Sequence, residues 1–174
     1  MLQTVISTTI NSFPPVGNKS DRVVILGSMP GEASLAANQY YAHPQNQFWG
    51  IMGELFGATR DLPYAKRLAV LARSGVIMWE TLQSCVRVGS LDTAIQDEIP
   101  NDFQTFLREY PRVTHLFFNG AKAEHSFKKH VLPALGEHGL ILRKLPSTSP
   151  AHAGMTLARK LEQWQAVADT LKKE

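Results

Sequence analysis

Short apolar runs alternate along this chain with longer stretches whose apolar residues recur every three or four positions, the pattern of strands alternating with helices. The runs are VVIL (Val23 to Leu26), VIMW (Val76 to Trp79), HLFF (His115 to Phe118) and LILRKL (Leu140 to Leu145). Between them the spacing predicts a helix near Asn46 to Phe56, carrying Phe48, Trp49, Met52, Leu55 and Phe56 and stopped by Gly57. A second helix covers Tyr64 to Arg73, with Leu68, Leu71 and Ala72 inward. A third, capped by Asn101 or Asp102, presents Phe103, Phe106 and Leu107, and a fourth from Ala121 to about Val131 presents Ala123, Phe127 and Val131. The last runs from about Thr156 to Lys172 with Leu157, Leu161, Trp164, Ala168 and Leu171 on one face. The start through Pro14 and Pro15 reads as irregular, and Thr81 to Pro100 as a polar excursion.

Strands this uniformly apolar are buried on both faces, so the expected fold class is α/β: a three-layer α/β/α sandwich with a four-stranded parallel sheet, in a single domain over residues 1–174. In such a sheet the ligand crevice lies outside the carboxyl ends of the strands. The residues delivered there are Gly27, Ser28, Met29 and Pro30, then Trp79 and Glu80, then Asn119 and Gly120, then Pro146, Ser147, Thr148 and Ser149. The first of these groups opens the stretch GSMPGEASLAANQYYAHPQNQFW, Gly27 to Trp49, whose composition is that of a pocket. It combines glycines and prolines for tight backbone, Tyr40 and Tyr41 for stacking, and the imidazole and amide of His43 and Asn46.

Composition narrows the chemistry. A chain of 174 residues, 44% hydrophobic and 19% charged, buries an ordinary core. Its one cysteine, Cys85, gives no internal disulfide framework, and the six histidines are scattered away from any metal-ligand spacing. No apolar run approaches the ~18 residues of a membrane span, and the amino terminus lacks the regions of a signal peptide. A soluble, cytoplasmic protein is expected. The net charge of +3, from 18 Lys+Arg against 15 Asp+Glu, favours a polyanionic partner only mildly. GSMPG is neither a P-loop nor GxGxxG, and no GxSxG elbow is present, so nucleotide-cofactor and serine-hydrolase readings lack a fingerprint.

Five ordered elements carry a resemblance: GSMPG after a strand, AHPQNQFW, the strand and loop GVIMWETLQSCVRVGSLDTAI, FFNGAKAE, and the late loop LPSTSPAHA. Together they resemble the uracil-DNA glycosylase superfamily from Val23 to Gly154, and most of all its hypoxanthine (deoxyinosine) branch. AHPQNQFW is similar to the HPxNxFW element of the mismatch-specific uracil/thymine glycosylases. The resemblance implies a monofunctional glycosylase with no metal or cofactor, acting as a monomer on DNA containing a deaminated base, which is extruded into a pocket. Three positions depart from the better-known branches: Met29 stands where a water-positioning Asp or Asn is usual, Leu145 where the late motif often has His, and Glu80 where uracil-specific members carry a base-reading Asn.

The resemblance shifts the catalytic weight to Asn46, with His43 as a proton source, and makes Gly27, Ser28, Met29, Pro30, Tyr40, Tyr41, Trp79, Glu80, Phe118 and Asn119 the base-binding candidates. Tyr40 or Tyr41 and Phe118 would stack on the base, and Glu80, as a carboxylate, would accept the lactam N–H that hypoxanthine, xanthine and uracil share. Ser147, Thr148, Ser149 and His152 are the DNA-contact candidates, with the serines at the start of a helix. Each has a structural alternative. Asn46 is placed to cap a helix, Glu80 to pair with Arg87, Phe118 to be plain core, and His43 to brace its loop. Two other functions stay open on sequence: a free-nucleoside hydrolase and a non-catalytic nucleic-acid-binding module of the same fold.

Overall fold

A computed structural model describes residues 8–173 of the chain. The amino-terminal stretch read for a targeting signal lies mostly outside them. The elements in order are β1 (Thr9–Asn11), β2 (Val23–Gly27), α1 (Glu32–Ala37), α2 (Phe48–Phe56), α3 (Tyr64–Ser74), β3 (Val76–Glu80), β4 (Leu82–Val86), β5 (Gln96–Pro100), α4 (Phe103–Glu109), β6 (His115–Asn119), α5 (Ala121–Ser126), α6 (Leu132–Leu135), β7 (Ile141–Leu145) and α7 (Leu157–Lys172). A π-helical turn, Phe127–Val131, joins α5 to α6. No helix among the described residues is long and apolar enough to cross a membrane.

The four apolar runs become β2, β3, β6 and β7, which pair in parallel in the order β3-β2-β6-β7. Every residue of β2 and of β3 is buried, as continuous apolar runs between two helical layers require. The pleat sends Val76, Met78 and Phe117 to one face, against Phe48, Trp49 and Met52 of α2, Leu71 of α3 and Trp164 and Val167 of α7. Ile77, Trp79, Leu116 and Phe118 go to the other, against Phe103 and Phe106 of α4 and against Ala123 and Phe127. The three-layer sandwich expected from the sequence is the fold observed.

Three features depart from the expected elements, one being the short helix α1 inside the Gly27 to Trp49 stretch. The irregular start and the polar excursion together form a second, antiparallel sheet, β1-β4-β5, over a small core of Met29, Leu82, Cys85 and Ile95. Its strands are short, and β4 pairs β5 with register shifts, so the alternation along them is too brief to register as strand. In α7 the inward face is rotated from the expected one. Lys160 is buried and Leu157 is half exposed. At α4 the cap is Asp102, one of the two expected, accepting the Thr105 N–H at 3.0 Å, while the Asn101 amide donates to the carbonyls of Glu80 (2.7 Å) and Leu82 (3.2 Å).

Trp164, fully buried in α7, also donates its indole N–H to the Pro146 carbonyl at 2.9 Å, and so fastens the last helix to the start of the PSTSP loop. Trp164→Ala is expected to cost about 3–5 kcal/mol in urea denaturation, as large-to-small changes of aromatic core residues do. A loss under ~1 kcal/mol would mean that α7 contributes little to the core it covers.

Candidate active site

The carboxyl ends of the parallel strands open into a cavity of about 840 Å³, and its floor is set by one close approach. Gly27 ends β2 opposite Glu80, and a Cβ there would lie 2.6 Å from Glu80 Oε2 and 3.1 Å from the Tyr41 hydroxyl oxygen. Only glycine lets both side chains reach that point. Tyr41 gets there with a left-handed backbone, φ +54°, uncommon for an aromatic residue, and its ring stacks on Phe48 with centroids 3.9 Å apart. The Tyr41 hydroxyl and Glu80 Oε2 are both shut off from solvent, and neither has a hydrogen-bond partner among the described residues. Leaving such a group unsatisfied costs roughly 1–3 kcal/mol, which an occupant of the cavity able to hydrogen-bond there would recover.

Burial, reinforced by Asp92 and only partly opposed by Arg87, pushes the Glu80 carboxyl up to about 8. At neutral pH this desolvation favours the neutral acid over the expected carboxylate, and the protonated group offers one donor and one acceptor instead of two acceptors. Pairing with Arg87 is not formed either. Arg87 Nη2 donates to the Pro30 carbonyl at 2.6 Å and Nε to the Gly89 carbonyl at 2.8 Å. Burial, and after it Glu80, raises the Tyr41 hydroxyl as well, which keeps it a neutral donor.

The HPQN segment is a turn closed by Asn46 N–H on the His43 carbonyl at 3.0 Å, and the Arg60 guanidinium clamps it by binding the Pro44 and Asn46 carbonyls. Asn46 Oδ1 accepts the Phe48 N–H at 2.9 Å in a turn that leads into α2, whose N-cap is Gln47 and not Asn46. That bond also fixes which way the amide faces. Its NH2 group has no partner among the described residues, on a side chain that lines the cavity. His43 lines it too, and its Nδ1 accepts the Gln45 N–H at 3.1 Å, which braces the turn. Ser28 donates to Asp92 Oδ1 at 2.6 Å, Pro30 lines the cavity, and Met29 lines it while packing into the small core under the second sheet.

Two candidates are placed elsewhere, and several that line the cavity spend part of their polar capacity within the protein. Trp79 and Phe118 do not line the cavity, because the pleat turns both toward α4 and α5, where Trp79 stacks on Phe106 at 4.5 Å and Phe118 packs on Phe127. Tyr40 reaches the wall, but it is 2% exposed and its hydroxyl donates to the Pro14 carbonyl at 2.8 Å, which leaves Tyr41 as the tyrosine with an uncommitted hydroxyl. Asn119 and Thr148 bond to each other, Asn119 Nδ2 donating to Thr148 Oγ1 and Thr148 N–H to Asn119 Oδ1, both at 2.9 Å, while the Asn119 amide, which lines the cavity, keeps a second N–H on the side of the Tyr41 hydroxyl. Thr148 is 1% exposed, so this pair is a clamp between β6 and the late loop and not a surface for DNA. Ser147 and Ser149 accept N–H groups of Ser149 and Ala151 at 3.1 and 3.2 Å, which leaves their own hydroxyl protons for another acceptor. No helix begins there, since α7 starts at Leu157. His152 is exposed on the rim.

Other residues of the site were not candidates on sequence. Lys122 lines the cavity with its ammonium held by Glu98 Oε2 at 2.9 Å. Asp92 opens a single 3-10 turn, Asp92–Ala94, and Arg60 sits in a loop; a Gly-Ser-x-Asp-Thr turn cluster was the one available signal for the first. Lys160, 1% exposed, donates to Gln47 Oε1 (2.9 Å) and to the His152 carbonyl (2.8 Å), joining the start of α2 to the late loop. Desolvation lowers its pKa.

The profile of the uracil DNA glycosylase superfamily matches residues 14–171. A hypoxanthine DNA glycosylase of Methanosarcina acetivorans is 34% identical over 157 residues, 89% of this chain and 95% of that one. Another, of Methanosarcina barkeri, is 35% identical over 131 residues, 75% of this chain and 82% of that one. A solution NMR structure from Methanosarcina acetivorans, described as a candidate uracil DNA glycosylase, superposes with a TM-score of 0.80 at 30% identity, covering 95% of this chain and 99% of that one. With its fold, its ordered motifs and nearly its whole length accounted for, this chain belongs to the uracil DNA glycosylase superfamily.

Proposed function

We propose that the protein is a monofunctional DNA glycosylase that hydrolyses the N-glycosidic bond of deaminated bases, hypoxanthine first and uracil or xanthine after it. The relatives named for hypoxanthine support the substrate class. The observation that carries the reading is the pair of solvent-excluded, unpartnered groups against Gly27, the Tyr41 hydroxyl and Glu80 Oε2. A lactam sets an N–H beside a carbonyl oxygen, and a neutral carboxylic acid complements both: its carbonyl accepts the N–H and its O–H donates to the oxygen.

The same contacts serve the chemistry. As the bond between the sugar and the base lengthens, positive charge develops on the sugar and negative charge on the base, including its lactam oxygen. Neutral donors already aimed at that oxygen bind it more tightly in the transition state than in the ground state. The Asn46 amide, oriented by its bond to Phe48, positions the water that attacks C1′. The water's oxygen ends on C1′ and its proton on the departing base. Ser147 and Ser149 offer hydroxyls to the phosphates, and Lys122, the lysine that lines the cavity among the described residues, is ion-paired with Glu98, which favours attack by water over an imine with the sugar.

The test is incubation with labelled oligonucleotides carrying inosine, uracil, xanthine or a G·T mismatch, followed by alkaline cleavage of abasic sites. Release of hypoxanthine is expected, and no release from any of them overturns the reading.

Asn46→Ser separates bracing of the turn from catalysis. A serine hydroxyl accepts the same Phe48 N–H but brings no NH2, so the variant should fold with nearly unchanged stability and lose on the order of 10² in single-turnover release. Wild-type rates in this variant would reduce Asn46 to a brace of that turn.

Glu80 sets the pH dependence. Its folded pKa, about 8, lies above the ordinary 4.5, so the stability it contributes is complete below pH 4.5 and is lost as pH rises toward and through 8. Base release should fall over the upper part of that range. In Glu80→Gln, whose amide also pairs one donor with one acceptor, both dependences should flatten while inosine release stays within about ten-fold of wild type. A loss beyond ~10² in Glu80→Gln would mean that the ionised carboxylate is the working form.

A further inference from the structure

Among the described residues, five large hydrophobic side chains are well exposed, and two of them sit on one short loop after β4: Val88, 85% exposed, and Leu91, 56% exposed. Leu91 is the one of the five that also lines the cavity. Single exposed hydrophobics are ordinary, but this loop is built to keep them out. Arg87 grips the Pro30 and Gly89 carbonyls, Ser90 Oγ accepts the Glu32 N–H at 2.8 Å, and Asp92 Oδ1 accepts the Ser28 hydroxyl at 2.6 Å. Gly89, at φ +79°, lets the chain reverse between Val88 and Ser90. The interior beneath is already filled by Met29, Leu82 and Ile95, so neither side chain can fold back into it.

The late loop at the same rim is polar where it lines the cavity, apart from proline and alanine: Ser147, Ser149 and His152. Its cavity-lining part suits phosphates and carries no large apolar side chain, Met155 lying beyond it. A duplex held there still has to surrender a base from its stack, which costs a few kcal/mol per step unless an apolar group takes the vacated space.

We propose that the Val88–Leu91 loop is a second DNA-contact element, in which Leu91, supported by Val88, presses into the base stack beside the extruded nucleotide. This rests on the glycosylase reading above. Leu91 acts on extrusion and not on bond cleavage, so its weight falls on paired substrates. In single strands the stack is already loose.

The experiment measures single-turnover release from an inosine-containing duplex and from the same strand unannealed, for wild type, Leu91→Ala and Leu91→Met. The duplex-to-single-strand rate ratio should drop about ten-fold in Leu91→Ala, and the long apolar side chain of Leu91→Met should restore it. A 2-aminopurine next to the inosine should brighten on binding wild type and less on binding Leu91→Ala. An unchanged ratio with unchanged fluorescence overturns the wedge and leaves the glycosylase reading standing, as does a wild type active only on single strands. A wild type that releases no base from either substrate overturns the glycosylase reading and the wedge with it.

Discussion

The site depends on how closely β2 and β3 approach at their carboxyl ends. With no side chain on Gly27, the Glu80 carboxyl and the Tyr41 hydroxyl pack against the backbone itself, out of water. That packing raises the Glu80 pKa, keeps both groups neutral, and holds Tyr41 in a backbone conformation it would otherwise avoid. An extra methyl group at position 27 would have to displace an acid, a phenol, or the register that aligns Gly27 with Glu80. Strand geometry and base chemistry therefore meet at one α-carbon.

Met29 fits the same picture. Its side chain helps fill the small core with Leu82, Cys85 and Ile95, joined at its margin by Ile10, so the position does structural work that an Asp or Asn there would undo. Ser28 beside it is tied to Asp92. The first motif thus builds the wall, while uncommitted polar groups come from Asn46, Tyr41 and Glu80.

Much of this was legible in the sequence, for physical reasons that also mark where legibility ends. Unbroken apolar runs announce strands buried on both faces, but for the same reason they do not say which face each residue takes. Trp79 and Phe118 accordingly read as pocket residues and lie in the α4–α5 core. Residues following the strands were found because topology alone sends them to the rim. Asn119 and Thr148 arrived there bonded to each other, a pairing between distant segments that no local pattern encodes. The protonation state of Glu80 is a property of its burial and not of its residue type. Lys160 breaks the amphipathic rule of α7, since its ammonium finds acceptors on Gln47 and His152, which lie far from it in the chain or in the preceding loop.

The small sheet carries a consequence for the order of biosynthesis. β1 leaves the ribosome early, yet its partner β4 follows only after α1, α2, α3 and β3 have been made, and β5 later still. The first strand must wait unpaired through most of the synthesis of one helical layer. The pocket wall behind Met29 therefore closes after β2 and β3 can already be side by side, and a nascent chain can hold much of its sheet while still lacking a finished binding site.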